Sequence, residues 1–136
     1  MTIWHNLALF VGPHVALVMS HTEYLAALAE HGLECADEFC PAGCMAVTHA
    51  FRSGGELVCL IGLSPDALGE DPIQVASLLC HEAVHVWQRV VDATALENPR
   101  ACWGTEAEAY AIQNISHGLM QSFADRVAQL PPPESP

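Results

Sequence analysis

The chain has 136 residues, of which 51% are hydrophobic and only 15% are charged, and its formal net charge is −12. This length suits one folded domain, and the composition excludes extensive disorder. A basic nucleic-acid-binding surface is disfavoured, because there is no lysine and the four arginines are scattered. We therefore expect one domain over residues 1–130, followed by a disordered proline-rich tail over residues 131–136.

The N-terminal segment, residues 1–19, is apolar but is interrupted by polar residues, glycine and proline. No basic residue precedes its apolar part, so the pattern predicts neither a signal peptide nor a membrane span. We expect a cytoplasmic protein without membrane association, in which the six cysteines are mostly free thiols. Within this segment, residues 3–10 and 15–19 fit either a strand or a short buried helix.

A helix is predicted to begin after Ser20 or Thr22 as the N-cap residue and to end at Gly32. The loop that follows carries three cysteines close together: Cys35, Cys40 and Cys44. They could form a second metal site with His31 or His49 as the fourth ligand, or they could simply pack as small hydrophobic side chains. The second interpretation is favoured, because the spacing contains no paired Cys-x-x-Cys motif.

Two β-strands are predicted at residues 45–51 and 56–63, where residues with high β-propensity flank the turn-forming sequence Arg52-Ser53-Gly54-Gly55. Such a pattern is typical of a β-hairpin. The second strand is apolar at both alternating positions, which indicates that it is covered on both faces.

The next helix is predicted to have Asp71 as its N-cap residue, to begin at Pro72 and to end at about Val91. At about 100° per residue, its polar residues share one sector: Gln74, Ser77, His81, Glu82, His85, Gln88, Arg89 and Asp92. The remaining positions are apolar: Ile73, Val75, Ala76, Leu79, Cys80, Ala83, Val84, Val86, Trp87, Val90 and Val91. We expect the apolar side of the helix to lie against the core.

The polar sector contains the motif His81-Glu82-Ala83-Val84-His85. Two histidines one helical turn apart can bind the same metal ion, and Glu82 between them is a candidate general base. The alternative is that the motif occurs by chance on a solvated helix face of a small globular domain.

A last helix is predicted over residues 106–127, opening either at Asn98-Pro99 or at Gly104-Thr105. Its residues Glu106, Tyr110, Gln113 and His117 share one stripe, whereas Glu108 lies on the opposite side with Ala111, Ile112, Ile115 and Leu119. Only one of the two glutamates can therefore face the histidines. Thr105 and Glu108 fit a capping box, which leaves Glu106 as the better third metal ligand. If the helix begins at Pro99, the box does not exist and the choice depends on the helical wheel alone.

These motifs resemble the zincin metallopeptidases of the gluzincin kind, which combine the first motif with a downstream glutamate in a Glu-x-x-Ala-Asp/Asn segment. Here the corresponding residues are Glu106-Ala107-Glu108-Ala109-Tyr110, beginning 21 residues after His85. The resemblance implies an α+β, zincin-like fold, with a small mixed or antiparallel sheet packed on the motif helix and on a second ligand-bearing helix. The chain departs from the pattern at Tyr110, where such enzymes often have Asp or Asn.

The resemblance further implies that His81, His85 and Glu106 bind Zn²⁺, that Glu82 is the catalytic base, and that the strand before the motif helix guides an extended peptide. Three protein ligands leave zinc an open position for water, as in catalytic sites. We therefore expect a zinc metallopeptidase that acts on a peptide or protein substrate.

Tyr110 and His117 are candidate oxyanion donors because they share the stripe of Glu106, and His49 and Tyr24 are weaker candidates. The alternative function is a non-catalytic, metal-stabilised binding or regulatory protein on the same fold. In either case the chain is short, so a homodimer or a protein partner could complete the cleft.

Overall fold

The computed structural model describes residues 2–9, 12–97 and 104–132, and it confirms an α+β fold. Four strands form one sheet: β1 (Trp4–Leu9), β2 (Gly12–Val18), β3 (Ala46–Ser53) and β4 (Glu56–Leu63). Three helices pack on it: α1 (His21–Glu30), α2 (Pro72–Glu97) and α3 (Thr105–Ala128). A short 3₁₀ helix (Pro65–Gly69) precedes α2. None of the helices in the described part of the chain is long and apolar enough to cross a membrane.

The sheet is mixed, with the strand order β1-β2-β4-β3. Strand β2 is antiparallel to β1 and parallel to β4, and β4 is antiparallel to β3. Both N-terminal apolar segments, for which the sequence left strand and helix open, are therefore strands. The first ends at Leu9, and residue 10, which we had included in it, lies outside the described residues.

The predicted hairpin is confirmed, but Arg52 and Ser53, which were predicted to lie in the turn, belong to β3. Ser53 pairs with Glu56, so the turn has only two residues. Gly54 and Gly55 form that turn with φ values of +58° and +86°, a left-handed conformation that glycine adopts without steric cost. Strand β4 is buried along its length after Glu56, as expected for a strand covered on both faces. Helices α2 and α3 cover one face of the sheet, and α1 covers the other.

Helix α1 begins as one of the two predicted alternatives. The Ser20 hydroxyl accepts a hydrogen bond of 3.1 Å from the Glu23 backbone N–H, so Ser20 is the N-cap residue. The helix ends before Gly32, whose φ of +67° is the left-handed conformation typical of a residue just beyond a helix C-terminus. Both predicted ends of this helix are thus confirmed.

Helix α2 begins as predicted, because the Asp71 side chain accepts a hydrogen bond of 3.0 Å from the Ile73 N–H. The predicted end at Val91 is wrong, since the helix continues to Glu97. The added residues include alanine, leucine and glutamate and contain neither glycine nor proline, so nothing in them terminates a helix.

The expectation that the whole apolar side of α2 faces the core is also only partly correct. Among the described helices and strands, helix α2 packs mainly against the sheet on one side and α3 on another, and its third side carries exposed residues. Three apolar residues on that third side are exposed to solvent: Ile73, Val84 and Val91. The core-facing residues are those between the sheet and α3, including Leu79, Ala83, Val86 and Val90.

The loop between α1 and β3 crosses the α1 face of the sheet and touches β4 at Gly62. The Phe39 carbonyl oxygen accepts a hydrogen bond of 2.8 Å from His49 Nε2. A Cβ atom at Gly62 would lie only 1.8 Å from the same oxygen. Glycine at this position therefore allows the loop backbone to approach the sheet.

We expect Gly62→Ala to lower the free energy of unfolding by at least about 2 kcal/mol, because a backbone atom cannot move as easily as a side chain to relieve overpacking. Gly69→Ala is the matched control, since no heavy atom lies within 4 Å of a Cβ atom at that position. Urea denaturation of both variants measures the difference. Equal stabilities would show that the close approach at Gly62 is not a constraint on the fold.

Candidate active site

A cavity of about 530 Å³ lies between β3 and α2. Strand β3 contributes Ala46, Val47 and Thr48, and α2 contributes His81, Glu82, His85, Gln88, Arg89 and Asp92. The polar sector predicted for this helix thus opens onto a concave site beside an edge strand, rather than onto a flat solvated surface. Clefts of this volume are typical of ligand-binding sites.

The two histidine rings of the motif converge within this cavity. Their Nε2 atoms are 3.1 Å apart, and the rings meet edge to face at 83°. The Gln88 side-chain oxygen lies 2.9 Å from His85 Nδ1, and because that oxygen can only accept, Nδ1 carries the proton. In the neutral ring the lone pair of His85 is consequently on Nε2, the atom that faces His81.

Glu82 is buried within the same cavity, with only 4% of its surface exposed. Its Oε2 atom accepts a hydrogen bond of 2.5 Å from the Thr48 hydroxyl on β3. Its other oxygen, Oε1, has no hydrogen bond from any group in the described part of the chain. Residues from two different elements therefore fix the position of a carboxylate that keeps one oxygen able to accept a proton.

These donors fit two ligand positions of a zinc ion. Zinc binds imidazole nitrogen at about 2.0–2.1 Å, so two nitrogens 3.1 Å apart can share one ion. Gln88 supplies the hydrogen bond to the non-ligating nitrogen that metal-binding histidines usually make. However, residues 2–9, 12–97 and 104–132 contain no group of three His, Cys, Asp or Glu residues that could hold a metal ion. Glu106 therefore stays a predicted third ligand that the structure does not bring to the histidines.

Glu108 has a structural role, but not the predicted one in a capping box. The N-cap residue of α3 is Gly104, and no side chain caps this helix end. Instead, Glu108 Oε2 accepts a hydrogen bond of 3.0 Å from the indole N–H of Trp87. The alternative helix start at Asn98-Pro99 lies outside the described residues.

The contact between Glu108 and Trp87 explains the position of Glu106. Trp87 follows His85 by two residues, about 200° around α2, so α3 packs on the side away from the histidines. Glu106 is likewise about 200° from Glu108 and points away from α2. Consequently neither glutamate lines the histidine cavity.

The predicted oxyanion donors on α3 also lie outside this cavity. Tyr110 is 61% exposed. His117 lines a separate cavity beside β1, together with His5. The pKa of His5 is lowered mainly by burial and also by the nearby His117. Of the weaker candidates, His49 is bonded to the Phe39 carbonyl, and Tyr24 is fully buried, which raises its pKa strongly. These four side chains therefore gain no support as oxyanion donors.

The cysteine loop does not assemble a second metal site within the described residues. The Cys40 thiol donates a hydrogen bond of 3.2 Å to the Cys44 carbonyl, and Cys35 Sγ accepts one from the Asp37 N–H. Burial raises the pKa of the Cys40 thiol, and electrostatic interactions with Cys44 and Glu82 raise it further. The five described cysteines are free thiols, and the sixth, at position 102, lies outside the described residues.

Four polar residues of the cavity had no assigned role in the sequence interpretation: Thr48, Gln88, Arg89 and Asp92. Gln88 and Arg89 follow His85 by three and four residues, and this spacing alone places them on the motif face. Thr48 offers no comparable signal, because its contact with Glu82 joins two residues that are 34 positions apart in the sequence.

Neither protein-family models, nor curated proteins, nor solved structures match this chain. Its function is therefore inferred from the residues that form the cavity.

Proposed function

We propose that the chain is a zinc-dependent metallopeptidase on a zincin-like fold. The observation that carries the proposal is the convergence of two imidazole nitrogens beside a buried carboxylate, all within one cavity next to an edge strand. A solvated helix face would not require Glu82 to be buried and hydrogen-bonded to a neighbouring strand. The arrangement instead suits a site in which the base is held in a fixed position.

In this proposal His81 and His85 hold the zinc ion, and Glu106 remains the predicted third ligand. Zinc, when bound, would acidify a water molecule and polarise the carbonyl group of a peptide bond. Gln88 fixes the ring of His85 through Nδ1, so that Nε2 keeps its lone pair for binding.

Glu82 is the general base. Its Oε1 atom accepts a proton from the attacking water and afterwards delivers this proton to the leaving amine. The Thr48 hydroxyl holds Oε2, which keeps the carboxylate from rotating during the transfer. Thr48 is thus a positioning residue, since it acts through Glu82 rather than on the substrate.

The substrate in this proposal is an extended peptide beside β3. The resemblance assigned that role to the strand before α2, but this strand is β4, and both of its edges are paired, by β2 and β3. Strand β3 is an edge strand and lines the cavity, so a peptide beside the site can pair with its outer edge. The net charge of −12 favours neutral or basic peptides over polyacidic ones.

A second candidate is a non-catalytic binding or regulatory protein stabilised by a metal ion. One observation favours it: the described residues assemble only two of the three ligands that a catalytic zinc site usually has. The effect of substituting Glu82, argued in the Discussion, distinguishes the two candidates.

Metal analysis tests the proposal most directly. We expect about one zinc per chain in protein purified without added metal, and loss of this zinc in His81→Ala and in His85→Ala, because each removes a ligand. His21→Ala is the matched control, since His21 is an exposed histidine on α1 outside the cavity. A folded wild-type protein that contains no zinc and does not take it up would contradict the proposal.

A further inference from the structure

Arg89 is the cationic side chain of the histidine cavity. It follows His85 by one helical turn and lines the cavity together with Gln88 and Asp92. Its charge also reaches the buried thiol of Cys59 on β4, where burial raises the pKa to about 12 and Arg89 opposes this rise. Arg89 is itself exposed, and it lines the cavity on the side of α2 that faces β3.

Arg89 differs from the other arginines that the structure describes. Arg126 forms an ion pair of 2.5 Å with Glu23, and Arg52 donates a hydrogen bond of 3.0 Å to the Gly55 carbonyl. Arg89 has neither an ion pair nor a hydrogen bond within the described part of the chain, although Asp92 lines the same cavity one turn further along. An arginine without a carboxylate partner is notable in a protein with 16 acidic residues and only four basic ones.

From these observations we propose that Arg89 binds a carboxylate group of the substrate and thereby determines which peptides the site accepts. The planar guanidinium group matches a carboxylate with two parallel hydrogen bonds, which a lysine cannot provide. Two sources share this chemistry: an aspartate or glutamate side chain, and the C-terminal carboxylate of a peptide. This role rests on the proposed peptidase function, because it concerns the substrate of the same site.

The recognition is limited to one carboxylate. Among the described residues that line the cavity, Arg89 is the only arginine or lysine, and Glu82 and Asp92 provide negative charge. A second acidic group on the substrate would be repelled by these carboxylates and by the negative net charge of the protein. The preferred peptide is therefore neutral or basic except for one correctly spaced carboxylate.

The test uses pairs of peptides that differ in one group only. In the first pair, one peptide has aspartate and the other has asparagine at the same position. In the second pair, one peptide has a free C-terminus and the other has an amidated C-terminus. Arg89→Gln should lower kcat/KM for the preferred carboxylate peptide by about ten-fold or more, mainly through KM, and should change its neutral counterpart less than about two-fold. Arg89→Lys should recover only part of the preference, and Arg52→Gln is the control for loss of an arginine outside the cavity.

Calorimetric binding of the same peptides to the Glu82→Gln protein separates this inference from the proposed function. Carboxylate-dependent binding that requires Arg89, with no cleavage by the wild type, would support the carboxylate site and overturn the peptidase proposal. If the wild type cleaves peptides and Arg89→Gln keeps the same peptide preference, the peptidase proposal is supported and the carboxylate site is overturned. If the wild-type cavity neither binds nor cleaves any of the peptides, both are overturned. The pair that loses discrimination in Arg89→Gln identifies the source of the carboxylate.

Discussion

Glu82→Gln is expected to lower kcat for peptide hydrolysis by about 10²–10⁴-fold, the usual contribution of a general base. Glutamine has almost the same shape as glutamate, and its side-chain oxygen can still accept the hydrogen bond from Thr48. It cannot take a proton from water at neutral pH. The fold and the zinc content should therefore stay unchanged while turnover is lost.

The measurement combines peptide-cleavage rates with metal analysis and thermal unfolding of the same protein preparations. Glu70→Gln is the matched control, because it removes an exposed carboxylate that does not line the cavity. Cleavage at the wild-type rate by zinc-loaded Glu82→Gln protein would exclude Glu82 as the base. A zinc-loaded wild type that cleaves no peptide would favour the binding or regulatory protein instead.

The sequence predicted the parts of the site that depend on local geometry. His81, Glu82 and His85 belong to one helix, and helical periodicity alone places them on one face. The N-cap residues Ser20 and Asp71 and the Gly54-Gly55 turn were predictable for the same reason, since each depends on contacts only a few residues apart.

The parts that the sequence did not predict depend on how helices and strands pack. The hydrogen bond from Thr48 fixes the role of Glu82, and it requires β3 to lie beside α2. Periodicity correctly separated Glu106 and Glu108 onto opposite sides of α3. Periodicity could not predict against which side of α2 the helix α3 would pack. In the structure that side carries Trp87, which donates a hydrogen bond to Glu108.

Glu106→Ala and Glu108→Ala test the predicted third ligand. Because Glu106 points away from α2 in the structure, its predicted role requires α3 to pack differently on α2 when zinc is bound. We expect Glu106→Ala to weaken zinc binding by at least about 100-fold, because loss of a ligand costs more than the 10–100-fold loss usual for a residue that only supports a ligand. Its effect on the unfolding free energy of the zinc-free protein should be small, since residue 106 is exposed.

Glu108→Ala should instead retain zinc and destabilise the zinc-free protein by about 1 kcal/mol, because it removes the acceptor for the Trp87 indole. Glu108→Gln is the matched control, since it keeps an oxygen that can accept this hydrogen bond. Zinc titration and urea denaturation of the three variants measure both effects. Loss of zinc from Glu108→Ala alone would transfer the ligand role to Glu108 and would require α3 to pack differently on α2. Unchanged zinc affinity in all variants would show that neither glutamate is a zinc ligand.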